Sequence, residues 1–346
     1  MPRTGQTTSY AAGDDGDIEA GVAWPISRFT DNGDGTITDS LTGLMWLKDA
    51  GCFGFRHWES AVGVVSHFNS APDDYNCEDY SGGYSDWVLP NINEIESLLN
   101  AEEASNGGWL ESQGFVDIQA QYWSSTTHAE FTEQAWYFGT GGSIAYLSKT
   151  PTNFRVWPVR STSSFCAALW QTGQTVSYTA GDDGELRRGV SWPNPRFTDD
   201  GDGTVTDNLT SLIWLKDSNC LGVKTWLAAF DTVADFNTDP AKYNCEDYSD
   251  NNDDWRLPNR KEFLSLVDRS QFGPALPLNH PFAGNVSKTF WSSTTNPTTS
   301  GAWYARMSYG FFSPSSKHNS YQVWAVRHPE NSGHSAMPWL FLLLDD

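Results

Sequence analysis

Apolar residues fall at helical spacing in only two places per half of this chain. Trp58, Ala61, Val62, Val65 and Phe68 form one stripe, the pattern of a helix that buries a single face. Ile95, Leu98 and Leu99 form a shorter one, entered through Asn91 and Glu94, whose three-residue spacing fits a capping box in which each side chain bonds the other's backbone amide. The remainder reads as strands and turns. Phe29-Thr30-Asp31 and Thr36-Ile37-Thr38 flank Asn32-Gly33 and Asp34-Gly35, dipeptides that accept the positive φ of tight turns, so a hairpin is predicted. Leu44-Met45-Trp46-Leu47 predicts a buried strand. Further strands are expected over Tyr122 to Thr127, Ala135 to Tyr137 and Arg155 to Arg160, and the opening stretches Thr4 to Thr7 and Gly13 to Gly16 read as short strands and turns.

Nearly all of this pattern occurs twice. Cys77-Glu78-Asp79-Tyr80-Ser81 and Asp86-Trp87-Val88-Leu89-Pro90-Asn91 return 168 residues later as Cys245-Glu246-Asp247-Tyr248-Ser249 and Asp254-Trp255-Arg256-Leu257-Pro258-Asn259. The same offset pairs Trp46 with Trp214 and Trp123 with Trp291, and it slips by one before Trp157 and Trp324. A fixed offset of this kind marks a duplicated domain. The expected division is copy 1 over 1–161, a short polar linker over 162–171, copy 2 over 172–329, and a tail over 330–346. Each copy carries two early helices and a strand-rich remainder, so the fold class is α+β.

Composition narrows the function. With 43 acidic against 21 basic residues the net charge is −22, which repels nucleic acid and anionic membranes. No segment reaches the roughly 18 apolar residues of a membrane-spanning helix. Met1-Pro2-Arg3 leads straight into Thr4-Gly5-Gln6, without a visible secretory leader. Four of the five cysteines, Cys52, Cys77, Cys220 and Cys245, keep equal spacing in both copies. One disulfide per copy is expected, and with it export, the leader being removed or missing; buried free thiols are the alternative.

Several constellations are candidates for chemistry. Asp31, Asp34 and Asp39, with Asp199, Asp202 and Asp207, resemble oxygen-rich calcium loops, although no glutamate closes an EF-hand and a solvated turn is the simpler reading. Glu78, Asp79 and Asp86, with Glu246, Asp247 and Asp254, are a comparable set. Asn208 and Asn285 stand in glycosylation sequons. The repeated tryptophans Trp46, Trp87, Trp123, Trp136 and Trp157 could stack on sugars; recurrence in both copies favours core packing. No histidine recurs at the offset and no catalytic motif is present, so an enzyme is not expected. The run Met337, Pro338, Trp339, Leu340, Phe341, Leu342, Leu343 and Leu344 lies outside the repeat, and an apolar segment there predicts a connector that docks into a neighbouring copy or onto its own chain. Cys166, the fifth cysteine, is a candidate for an intersubunit bond.

The segment Asp-Trp-(Val/Arg)-Leu-Pro-Asn, taken with Asp34-Gly35-Thr36, Leu41 to Trp46 and the terminal Val-Trp-(Pro/Ala)-Val-Arg, resembles the C-terminal domain of the Legionella collagen-like adhesin over nearly all of both copies. The resemblance implies a C-type-lectin-like fold, two helices beside a twisted antiparallel sheet, in an extracellular setting. It also implies binding of anionic glycans through a basic surface, which a net charge of −22 opposes here. Formylglycine-generating enzymes share that fold but need a reactive cysteine pair late in it, whereas these cysteines come early. The expected function is therefore a non-enzymatic extracellular protein that self-assembles into a filament or surface layer through its tail, a homo-polymer with glycosylation a candidate; the rival is a lectin-like adhesin binding a glycan, with calcium as its candidate cofactor.

Overall fold

The computed structural model describes residues 1–150, 152–162, 167–250, 252–297 and 300–329. Cys166 and the tail run from Met337 to Leu344 lie outside the described residues. What is described is an α+β molecule built from two like halves.

Each half begins with an antiparallel unit. Phe29–Asp31 pairs with Thr36–Asp39, which pairs with Leu44–Leu47, and Val159–Ser161 closes the far edge. In the second half the same order is Phe197–Asp199, Thr204–Asp207, Ile213–Leu215 and Val326–Arg327. The predicted hairpin forms, and its turn explains a glycine. Gly35 has φ +79°, and a Cβ there would meet the Tyr80 backbone at 2.4 Å, so this position must lack a side chain for the following loop to lie against it.

The first helix is Trp58–Ser70, which buries Trp58, Ala61, Val62, Val65 and Phe68, the stripe read from the sequence. Its counterpart is Trp226–Thr238. The second helix is shorter than its stripe predicts in copy 1. It spans only Ile92–Glu96, and Leu98 and Leu99 are buried in the turn beyond it. In copy 2 it spans Arg260–Leu266. Both carry the complete capping box, Asn91 with Glu94 and Asn259 with Glu262.

Several elements were not predicted. Asp15–Ile18 and Asp183–Leu186, read as turn, are single helical turns capped by Asp14 and Asp182. Asn106–Ser112 is a helix of copy 1, capped by Ser105; Gly107 and Gly108 broke its pattern. The strand Phe311–Ser316, in register with Gly301–Arg306, runs through Pro314, a residue type that usually stays out of paired strands. The predicted strand from Arg155 to Arg160 is two pieces, Phe154–Arg155 and Val159–Ser161, with Trp157 and Pro158 between them.

The remaining strands of both halves form one ten-stranded sheet. Its order is Val223–Thr225, Ser320–Gln322, Thr289–Asn296, Gly301–Arg306, Phe311–Ser316, Ile144–Ser148, Gln134–Gly139, Gln121–Thr127, Phe154–Arg155 and Phe55–Arg56. The halves meet at its centre, where Phe312 pairs with Ile144. Beneath it lie the repeated tryptophans. Trp46, Trp87, Trp123, Trp136 and Trp157 are all buried, which makes them core and not sugar platforms. The indoles of Trp157, Trp123 and Trp87 donate to Leu47 O at 2.7 Å, Arg56 O at 2.9 Å and the Tyr80 hydroxyl at 3.0 Å, while those of Trp46 and Trp136 meet no acceptor among the described residues.

The N-terminal segment of each copy bridges to the other copy. Gln6 exchanges hydrogen bonds with Thr295, and the Asp15 carboxyl accepts from Thr4 at 2.6 Å and from Thr294 at 2.7 Å. The second copy reciprocates: Gln174 bonds both backbone groups of Thr127, and Asp183 accepts from Thr172 and Thr126, each at 2.7 Å. The halves are interlocked by a near-two-fold exchange.

Candidate functional site

The aspartates proposed as calcium ligands serve other partners. Asp39, fully buried, accepts from Arg28 Nε at 3.0 Å and Nη2 at 2.8 Å, and also from Leu41 N and Thr42 Oγ1. Asp207 repeats this with Arg196, Leu209 and Thr210. Such forked pairing occupies both oxygens. The guanidinium of Arg28 also donates to Ser97 O at 2.7 Å and lies 4.4 Å over the Trp24 ring, so the pair ties the hairpin to the end of the second helix.

Asp31 reaches Lys48 at 2.9 Å and Asp199 reaches Lys216 at 2.9 Å. The Gly33 amide and Lys48 hold the Asp31 carboxyl below its ordinary range, and Lys216 followed by the Gly201 amide does so for Asp199. Asp34 accepts from the Thr36 amide and hydroxyl, and Asp202 from those of Thr204. Of the six aspartates read as calcium candidates, Asp31, Asp39, Asp199 and Asp207 thus take their countercharge from lysine or arginine, while Asp34 and Asp202 accept from threonine. In the second set, Asp86 forks onto Arg160, Asp79 lies 3.5 Å from Lys48, Asp247 3.6 Å from Lys216, and Asp254 4.0 Å from Arg327. Among the described residues no group of three or more His, Cys, Asp or Glu is arranged to hold a metal ion.

The cysteines form two disulfides, Cys52–Cys77 and Cys220–Cys245. Each ties the loop after the third strand to the loop before the second helix. Of the sequon asparagines, Asn285 is exposed, while the exposed Asn208 spends its amide nitrogen on Pro195 O and Thr198 Oγ1.

One surface feature separates the copies. In copy 2 a groove of about 410 Å3 is lined by Gln171, Gln174, Ser191, Trp192, Asp268 and Gln271, among others. Trp192 is half-buried, its indole donating to Gln171 O at 2.9 Å. Gly173 lies beneath it: a Cβ there would strike Asp268 Oδ1 at 2.3 Å and Trp192 at 2.7 Å, so glycine is what lets the indole and the carboxyl converge. Burial raises the Asp268 carboxyl above its ordinary range, against the hydrogen bonds that Ser270 donates to it. In copy 1 the equivalent indole, Trp24, is likewise half-buried but has an aromatic neighbour. The helix Asn106–Ser112, which copy 2 lacks, places Trp109 against it with ring centres 5.7 Å apart. Sequence reasoning missed this groove because its residues come from three separated segments.

Two disulfide-braced α+β domains in tandem, each with a helix pair beside mostly antiparallel strands, define a double lectin-like protein. Within that class the chain belongs to the family of the Lcl C-terminal domain, whose profile matches residues 35–160 and 203–327. The match omits 1–34 and 161–202, the stretches that carry both exchanged segments. No curated protein matches the chain significantly. Membership and the disulfides point to an extracellular protein, and among the described residues no helix is long and apolar enough to cross a membrane.

Proposed function

We propose that this is a non-enzymatic extracellular recognition protein, an adhesin whose second copy binds a neutral saccharide in the groove beside Trp192. The observation that supports this reading is the asymmetry of the two copies: Trp109 packs against the indole of Trp24 in the first, whereas Trp192 in the second lines a groove. A half-buried indole offers an apolar face to sugar C–H groups, and the amides of Gln171 and Gln271 with the hydroxyls of Ser191 and Ser270 offer matching polar partners for sugar hydroxyls. A neutral ligand also suits a surface of net charge −22 better than a sulfated one. The test is a neutral glycan array probed with the wild type and with Trp192→Ala. Binding lost in the variant supports the reading, and absence of binding to any neutral glycan, or binding retained by the variant, removes it.

Self-assembly into a filament or surface layer is a second reading, favoured by the unbroken apolar run from Met337 to Leu344. Negative-stain microscopy of the full chain and of a variant ending at residue 335 tests it. Filaments that vanish with the deletion support assembly; particles that stay monomeric in both forms oppose it.

A further inference from the structure

The contact between the copies buries guanidinium N–H groups that meet no acceptor among the described residues. Arg260, Lys261 and Arg269, all buried, gather from the second copy around Glu96, also buried, from the first. Glu96 takes Arg260 Nε at 3.3 Å and Lys261 Nζ at 2.9 Å, which uses both its oxygens. Arg269 spends one amino group on Gly310 O at 2.7 Å. The Nη1 and Nη2 of Arg260, and the Nε and Nη2 of Arg269, meet no acceptor among the described residues.

Two more acids act on Arg269 electrostatically, Asp183 and Asp268, and burial pushes both carboxyls toward the neutral form, Asp183 to about 7. Burial also drives Arg260, Lys261 and Arg269 down, Arg269 to about 9. Tryptophan faces relieve part of this, since Arg260 lies 4.1 Å over Trp303 and Arg269 lies 4.0 Å over Trp136 of the other copy. A ring face does not accept the in-plane N–H groups of a guanidinium stacked upon it.

The fold itself does not demand this charge. At the repeat offset, Arg260, Lys261 and Arg269 correspond to Ile92, Asn93 and Ala101, and Glu96 to Leu264. Copy 1 thus builds the same elements with neutral residues. Buried unpaired cations and unmade donor bonds are costly enough that such a cluster requires a counter-charge.

We propose that the interface between the two copies binds a small inorganic anion of chloride size, held by the unpartnered N–H groups of Arg260 and Arg269. The site is closed to larger ligands by its burial, so the anion is a structural element that joins the copies.

The experiment is calorimetry of the full chain in sodium chloride, sodium bromide and sodium gluconate at equal ionic strength, together with a crystal grown in bromide. Expected are a saturable rise in melting temperature of about 2 °C or more in either halide over gluconate, loss of that rise in Arg269→Met, and an anomalous bromide peak within hydrogen-bond distance of both guanidiniums. Equal melting in all three salts, a halide rise that survives in Arg269→Met, or a site occupied by water alone overturns the proposal. Should Arg269→Met fail to fold, the wild-type bromide crystal decides.

Discussion

Asp15 of the first copy accepts a hydrogen bond from Thr294 of the second at 2.7 Å, and Asp183 of the second accepts one from Thr126 of the first at the same distance. Both carboxyls are buried. Burial outweighs the threonine hydrogen bonds and raises each from 3.8 to about 7. Each copy therefore has an acid that keeps much of its proton near pH 7 at the point where it is gripped by the other.

This sets a pH dependence. A carboxyl with a raised folded pKa binds its proton more tightly when folded, so its contribution is complete below about pH 4 and is lost as pH rises toward and past 7. The loss is at most on the order of 4 kcal/mol per group. Asp15→Asn with Asp183→Asn mimics the protonated pair. Melting temperatures followed from pH 4 to pH 9 are expected to show the variant matching the wild type in acid and exceeding it above pH 7; a variant weaker at pH 8 contradicts the assignment.

The exchange also predicts cooperativity. Because each N-terminal segment is held by both copies, the halves are expected to unfold as one unit despite being homologous domains. Scanning calorimetry should show a single transition. Thr126→Val with Thr294→Val, which removes a donor from each buried acid, should lower stability by about 1–3 kcal/mol per site, and two separated peaks in the wild type would count against the interlock.

The forked pair Arg28–Asp39 and the half-exposed pair Lys48–Asp31 lie on the same hairpin. Arg28→Met strands a buried carboxylate and should cost about 3–5 kcal/mol. Lys48→Met should cost about 1 kcal/mol or less. Urea titrations in calcium and in chelator are expected to coincide for the wild type, since Asp39 is committed to arginine; a calcium-dependent midpoint would restore a metal to this loop.

Each disulfide spans 25 residues. Replacing Cys52 and Cys77 together by serine is expected to remove roughly 3 kcal/mol in the chain-entropy account. The equivalent change at Cys220 and Cys245 should cost a similar amount. Denaturant midpoints of the two double variants measure this, and a midpoint unmoved by either would show that the loops are held by packing alone.

The sequence by itself determined what depends on local pattern and on repetition. The fixed offset gave the two copies, the stripe from Trp58 to Phe68 gave the first helix, Asn91 with Glu94 gave the second helix's cap, and Asn32 to Gly35 gave the hairpin. These are interactions between residues close in the chain, or demands that each copy must meet separately. The tertiary structure alone decided what lies between distant segments. That Asp39 faces Arg28, that Pro314 sits inside a strand, and that Trp192 lines a groove where Trp24 packs against Trp109 all depend on which surfaces meet across the fold. The same holds for the reciprocal grip of Asp15 and Asp183, because a hydrogen bond between residues 279 positions apart leaves no trace in local spacing.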